Sequence, residues 1–441
     1  MFNPDIYRSY DIRGIVPGEF GFDEAYHIGR AYAVYMGVKR VVVARDMRPS
    51  GDEIEPELIR GLTDGGINVI QIGLATSPLF YFAVHKLKAE GGLMVTASHN
   101  PGEYNGIKMT REKAIPVGGG TGLSDIRDLV EKRQWSEVKR AGKIEEANVR
   151  EDYLDMVCKG ADASGLKIVV DAGNGMAGML LADVFKRIGG EAVPLYWDLD
   201  GNFPNHEADP LKEENMQDLQ SKVGEEKADL GVAFDGDGDR VFFCTEKGIT
   251  VSGDITTALI AQKVLKGNSG ATILYDLRSS RVTREIIERA GGRAVMSKVG
   301  HSNIKAQMRK EGAVFAGELS GHLYFTPWYA ESGLLAMNYV IRVLRERQKP
   351  FSAVVAPLFK YAKSPEVNFE VNDKEAAMKR IKSKYSDAEI LTLDGITVNY
   401  SDWWANVRPS NTEPLLRLNM EADTEELLKE KQREIEKLIT N

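Results

Sequence analysis

Cysteine is nearly missing from this chain: Cys158 and Cys244 are the only two in 441 residues, far apart and each set among apolar neighbours. No disulfide framework is expected, and buried thiols in a reducing compartment fit that usage. Long hydrophobic runs are wanting too, since no stretch reaches the roughly 18 apolar residues of a spanning helix. Residues 1–14 place acids, arginines and a proline where a signal peptide would carry its apolar segment. A cytoplasmic protein without a membrane partner is therefore expected. Nor is there a basic excess: Lys plus Arg total 57 against 65 acids, a formal charge of −8. A duplex nucleic-acid partner needs the opposite balance and is not expected.

What is present is the composition of an ordinary globular protein, 43% hydrophobic and 28% charged. At this length one hydrophobic core stops growing, so two to four domains are expected. Short apolar runs at 41–44, 69–72, 93–95, 168–170, 230–234 and 272–275 alternate with amphipathic stretches. That alternation argues for α/β architecture with largely parallel strands. The last segment differs. Val367, Phe369 and Val371 alternate with polar residues, as do Leu416, Leu418 and Met420, which predicts half-exposed strands. Thr424 then opens a charged terminal helix. The boundaries expected are 1–150, 151–253, 254–363 and 364–441, the last at the Ser364-Pro365 break.

Three times an apolar strand runs straight into a polar loop with reactive side chains: after Val95, after Phe234 and after Ala316. Ligands of open α/β sheets bind beyond the carboxyl ends of strands, so these loops are expected to serve one active site. The first, Thr96-Ala97-Ser98-His99-Asn100-Pro101, puts a serine among small and polar neighbours with a proline that stops regular structure. It suits a rigidly presented nucleophile, although a helix cap is the ordinary use of such a serine, and His99 then serves as a hydrogen-bonding scaffold.

The second loop, Asp235-Gly236-Asp237-Gly238-Asp239-Arg240, sets three carboxylates at alternate positions with glycines between them. Hard oxygen donors select Mg²⁺ or Ca²⁺. A calcium EF-hand is the rival, with Glu246 at its twelfth position, but Arg240 stands where that motif needs glycine and the flanks are strand-like. A solvated acidic turn is the plainer alternative. It would leave three unpaired acids after an apolar strand, which is unfavourable without a cation.

The third loop, Gly317-Glu318-Leu319-Ser320-Gly321-His322, offers a carboxylate, a hydroxyl and an imidazole, the donors and acceptors that sugar hydroxyls require. A fourth element, Arg408-Pro409-Ser410-Asn411-Thr412-Glu413-Pro414, joins an arginine fork to hydroxyls and amides that suit a phosphate, an ordinary surface loop being the alternative. Gly173-Asn174-Gly175-Met176-Ala177-Gly178 also matches the dinucleotide fingerprint, with Glu191 and Asp198 near the expected acid. A tight strand-to-helix turn explains it equally well.

Together these loops resemble the α-D-phosphohexomutase family, and within it the phosphomannomutase/phosphoglucomutase group, from Tyr10-Asp11-Ile12-Arg13-Gly14 to the stretch 408–414, all in family order. The resemblance implies three mixed α/β domains with αβα layers and a smaller C-terminal α+β domain around a central cleft. Ser98 would be the phosphorylated residue and, with Asp235, Asp237 and Asp239, would hold Mg²⁺. Arg240, Glu318, Ser320 and His322 would lie at the sugar, and Arg408, Ser410, Asn411 and Thr412 at the phosphate that is not reacting. Tyr10, Arg13, Lys108 and His301 match family active-site positions. Arg278 stands where relatives often carry lysine, and Tyr329-Ala330-Glu331 lacks an aspartate common there.

The expected reaction interconverts hexose 1-phosphate and hexose 6-phosphate of mannose or glucose through a 1,6-bisphosphate that turns around, with glucose or mannose 1,6-bisphosphate as activator. The partners are small phosphosugars. Closure of the C-terminal domain is expected to keep water from the phosphoserine. A phosphoglucosamine mutase is the near rival, against which Leu319 argues because those relatives tend to carry glutamine there. A metal-dependent sugar phosphatase and a noncatalytic sugar-phosphate binding protein are the distant ones.

Overall fold

In a computed structural model of the chain, residues 2–135, 138–410 and 415–440 are described. They form two compact units: the residues up to Val251 with Ser320–Ser352, and Ser252–Leu319 with those from Ala353 onward.

The first unit holds a six-stranded sheet in the order Ile12–Ile15, Tyr104–Arg111, Gly91–Val95, Arg40–Arg45, Asn68–Leu74, Ile144–Glu146. Between the terminal arginines of Arg40–Arg45 its two middle strands carry only valine, alanine, glycine, leucine and methionine, buried on both faces as parallel strands covered by helices must be. Arg40–Arg45 runs parallel to Gly91–Val95 with Arg45 opposite Val95. Both chains therefore leave the sheet at one end, and the turn after Arg45 emerges beside the loop that carries Ser98. The antiparallel strand Tyr104–Arg111 returns past Val95 and brings Lys108 to the same end.

A second sheet of this unit runs Thr250–Val251, Val241–Thr245, Leu230–Phe234, Lys167–Asp171, Glu191–Leu195. The strands on either side of the aspartate loop, Leu230–Phe234 and Val241–Thr245, pair antiparallel, so that loop is a hairpin and not a helix–loop–helix. Helix Gly333–Arg347 belongs here, with Asn338 donating to the Val157 carbonyl at 2.6 Å.

The second unit has three parallel strands, Thr272–Asp276, Arg293–Ser297 and Phe315–Gly317. It also has an antiparallel sheet built on Leu415–Ala422 and Trp403–Pro409, covered by helices Lys374–Lys384 and Glu425–Thr440. Thr424 opens the terminal helix as expected, its hydroxyl accepting from the Leu427 amide at 3.2 Å. The half-exposed pattern holds less well. Asn419 and Glu421 are buried along with Leu418 and Met420, because Asn419 donates to Glu366 and Glu421 accepts from Trp404 and from the Arg281 amide. No helix among the described residues is long and apolar enough to cross a membrane. Both thiols are buried, and burial pushes Cys158 up to about 11 and Cys244 to about 12.

Candidate active site

In the first unit the serine and the three aspartates meet. Ser98 is 3% exposed, and its hydroxyl donates to Asp235 Oδ2 at 3.2 Å and lies 3.2 Å from His99 Nδ1. The backbone of Ser98 sits at φ 52°, the left-handed region that a non-glycine residue occupies at a cost of order ~1 kcal/mol. Its amide is held by Thr96 Oγ1 at 3.0 Å. Arg13 braces the loop from the other side, donating to the Ala97 carbonyl and to Asn100 Oδ1 while Asp11 takes the rest of its fork. Tyr10, just before, is half-buried.

Asp235, Asp237 and Asp239 are all buried, and each presents a carboxylate oxygen within 4.8 Å of the others. Lys108 meets the expectation that such a cluster needs a cation: its Nζ donates to Asp237 Oδ2 at 2.6 Å and to Asp239 Oδ2 at 2.8 Å. Burial works against that charge, but Asp237 and Asp239 outweigh it and hold the ammonium well above the ordinary lysine value. Ser77 donates to the same Asp237 oxygen at 2.6 Å. The other oxygen, Asp237 Oδ1, is buried without a hydrogen-bond partner. A buried anionic oxygen left open beside two further carboxylates fits a hard cation with oxygen ligands, so Asp235, Asp237 and Asp239 are the residues that could hold a metal.

The three acids are not equivalent. Burial, then the charges of Asp239 and Asp237, push Asp235 well above the usual carboxylate range. Asp239 pays the same burial, but Lys108 and His322 hold it well below that range. His322 Nε2 lies 3.2 Å from Asp239 Oδ1 and 3.3 Å from Arg240 Nε, while Ser320 Oγ meets its Nδ1 at 3.0 Å. His99 is held well below the usual histidine value, first by burial and then by Arg240 and Arg13, so its imidazole is neutral.

Glycine is required where this loop passes the serine. A Cβ on Gly236 would lie 2.4 Å from the Ser98 carbonyl oxygen. The dinucleotide-like glycines serve packing as well: a Cβ on Gly178 would meet the Trp197 carbonyl at 2.1 Å, and Met176 donates its amide to the Gly236 carbonyl. That stretch is a tight strand-to-helix turn laid against the aspartate loop.

Comparison with known proteins gives the same family in every segment. Residues 5–137 match phosphoglucomutase/phosphomannomutase alpha/beta/alpha domain I, 151–248 domain II, 252–361 domain III and 366–438 the C-terminal domain. The chain belongs to the phosphoglucomutase/phosphomannomutase family. It is 40% identical to the phosphomannomutase of Methanocaldococcus jannaschii over 98% of this chain and 97% of that protein. To the phosphomannomutase/phosphoglucomutase of Pseudomonas aeruginosa it is 39% identical over 96% and 93%. A crystal structure of a phosphoglucomutase/phosphomannomutase family protein from Burkholderia thailandensis covers 100% of this chain and 98% of its own, at 34% identity and a TM-score of 0.93. Enzymes so named are isomerases, and this phosphohexomutase chain is one with them.

The second unit of this family member carries a separate polar cluster. Arg278 is buried and clamped by Asp276, whose Oδ2 also accepts the Leu319 amide at 2.8 Å. Glu318 is buried and takes the Gly300 amide at 2.9 Å, next to His301 at the start of helix His301–Glu311. Glu366, which no sequence motif singles out, gathers Arg408 at 3.0 Å, Arg417 at 3.2 Å and Asn419 at 2.9 Å, with Arg278 at 3.9 Å. Ser410 lies at the end of that strand, its amide donating to the Leu415 carbonyl. Asn411 and Thr412 lie outside the described residues.

Burial opposes the charge of Glu366, but Arg408 and Arg278 prevail and hold it below the usual carboxylate range. A depressed acid stabilises the fold above its unfolded value, about 4.3, and that contribution fades as pH falls through the lower folded value. Glu366→Gln is therefore expected to cost about 1–3 kcal/mol at neutral pH and to flatten the acid limb of a thermal-unfolding series run from about pH 3 to 7.

Proposed function

We propose that the chain interconverts hexose 1-phosphate and hexose 6-phosphate of mannose and glucose by carrying a phosphoryl group on Ser98. The observation that carries this is the Ser98 hydroxyl 3.2 Å from Asp235, at the edge of three buried carboxylates. The hydroxyl oxygen of a hexose monophosphate attacks phosphorus and the P–O bond to Ser98 breaks. The hydroxyl proton reaches Ser98 Oγ through an acceptor, for which neutral His99 stands 3.2 Å away. The product is a 1,6-bisphosphate. After it turns around, the same step in reverse returns its other phosphate to Ser98, which is why added glucose or mannose 1,6-bisphosphate acts as activator.

Mg²⁺ is the ion proposed for Asp235, Asp237 and Asp239 with phospho-Ser98, where it supplies charge neutralisation at the moving phosphoryl group. Lys108 and Arg13 support that charge as fixed cations, and Arg240, Ser320 and His322 are proposed sugar contacts. In the second unit, Arg278 and Glu318 are proposed to engage the sugar, His301 to serve proton transfer or oxyanion support, and Arg408, Ser410, Asn411 and Thr412 to bind the phosphate that is not reacting. The enzyme is proposed to be cytoplasmic, and its domains are proposed as 1–150, 151–253, 254–363 and 364–441.

A coupled assay with glucose 1-phosphate, mannose 1-phosphate and glucosamine 1-phosphate, each with Mg²⁺ and a trace of the corresponding bisphosphate, tests the proposal. Turnover of the glucose and mannose esters to 6-phosphates is expected, with the glucosamine ester slower by about tenfold or more. Free phosphate as the main product would mark a phosphatase instead.

A further inference from the structure

Arg48 has no exposed surface, and all five of its N–H donors are used. Nε donates to Asp46 Oδ2 at 3.2 Å, Nη1 to the carbonyls of Pro101 at 2.6 Å and Tyr104 at 2.8 Å, and Nη2 to those of Ser98 at 2.9 Å and Asn100 at 2.5 Å. Beneath it the ring of Phe203 lies 5.1 Å from the guanidinium carbon. Asp46 is tied in turn, its amide on the Val95 carbonyl and its Oδ1 on the Arg48 amide.

We propose that Arg48 is a positioning residue for phosphoryl transfer, folding the backbone of residues 98–104 around one guanidinium so that the Ser98 oxygen faces Asp235. This rests on the reading of Ser98 as the phosphoryl carrier. Four carbonyl dipoles aimed at one buried point repel one another unless a cation with matching donors sits there. The left-handed backbone of Ser98 persists only where its surroundings over-determine it. Thr96 fixes the amide of Ser98 and Arg48 fixes its carbonyl, so neither flanking peptide is left to relax. Lysine keeps the charge but has three donors on one nitrogen, and it cannot span carbonyls that the planar fork reaches from two sides. A displacement of about 1 Å at a reacting group is enough to lose on the order of 10²-fold in rate.

The test is Arg48→Lys in the full-length enzyme, with circular dichroism and thermal unfolding to establish the folded fraction. Glucose 1-phosphate turnover is measured together with the share of phosphoryl groups lost to water per transfer. Positioning predicts a fall in kcat of about 10²-fold, KM within about threefold, and a share lost to water about tenfold higher, because a misaligned phosphoserine meets water more readily than the sugar hydroxyl. A purely structural role lowers transfer and hydrolysis together and leaves their ratio unchanged, which would overturn the proposal. If Arg48→Lys yields no folded protein, Asp46→Asn carries the same prediction at about tenfold in kcat, and an unchanged ratio there overturns it equally. Ser98→Ala run alongside separates the failures. Mutase activity in Ser98→Ala removes the underlying reading, whereas an inactive Ser98→Ala beside an Arg48→Lys with unchanged rate and ratio removes only the role of Arg48.

Discussion

Ser98→Ala is expected to lose mutase activity by on the order of 10⁴-fold or more while remaining folded. Alanine tolerates the φ of 52° about as well as serine does, and the deleted hydroxyl gives up its hydrogen bond to Asp235 and its contact with His99 Nδ1. The cost to stability is about 1 kcal/mol. The cost to chemistry is of another order. Without that oxygen the phosphoryl group loses the side chain proposed to hold it while the sugar turns. Steady-state turnover of glucose 1-phosphate, compared with the melting temperature of the same preparation, measures both.

Asp237→Asn should cost on the order of 10³-fold in kcat and should not respond to added Mg²⁺. Wild-type enzyme treated with a chelator should fall by a similar factor and recover fully when Mg²⁺ is restored. Stability should behave differently. The variant gives up one of the two carboxylates that hold Lys108, but it also removes a charge from three buried like charges, and Asp239 stays paired with the ammonium at 2.8 Å. The two effects oppose, leaving a change within about 1–2 kcal/mol. A metal titration of activity beside a thermal melt separates the ligand role from a structural one.

The contrast between these residues and Arg48 shows what the chain announces about itself. Acids at alternate positions after an apolar strand are a local pattern, because the ligands of one ion can come from one hairpin loop. The strands were legible for the same reason: runs such as Val41-Val42-Val43 are buried on both faces and advertise it. Arg48 and Asp46 leave no such pattern. Their partners are main-chain carbonyls some fifty residues away, brought near only by the parallel register of Arg45 with Val95. Carbonyls have no residue type to read. Ser77 and Glu366 leave no pattern either, one at the start of helix Ser77–Lys86 with its hydroxyl on Asp237 and the other gathering arginines from separate strands. Lys108 is legible through family resemblance alone, since nothing in Asn105-Gly106-Ile107-Lys108 says that its ammonium lies between two aspartates. One signal could have found Arg48: the strand at 41–44 ends in the charged run Arg45-Asp46, just as the other reactive loops follow their strands.

The most direct measurement follows the phosphoryl group itself. Purified enzyme is incubated with glucose 1,6-bisphosphate and digested, and the peptide containing Ser98 is weighed before and after a chase with glucose 6-phosphate. One phosphate should appear on Ser98 and leave during the chase at a rate no slower than turnover. Continued turnover with Ser98 unmodified, or with the phosphate on another side chain, would contradict the mechanism.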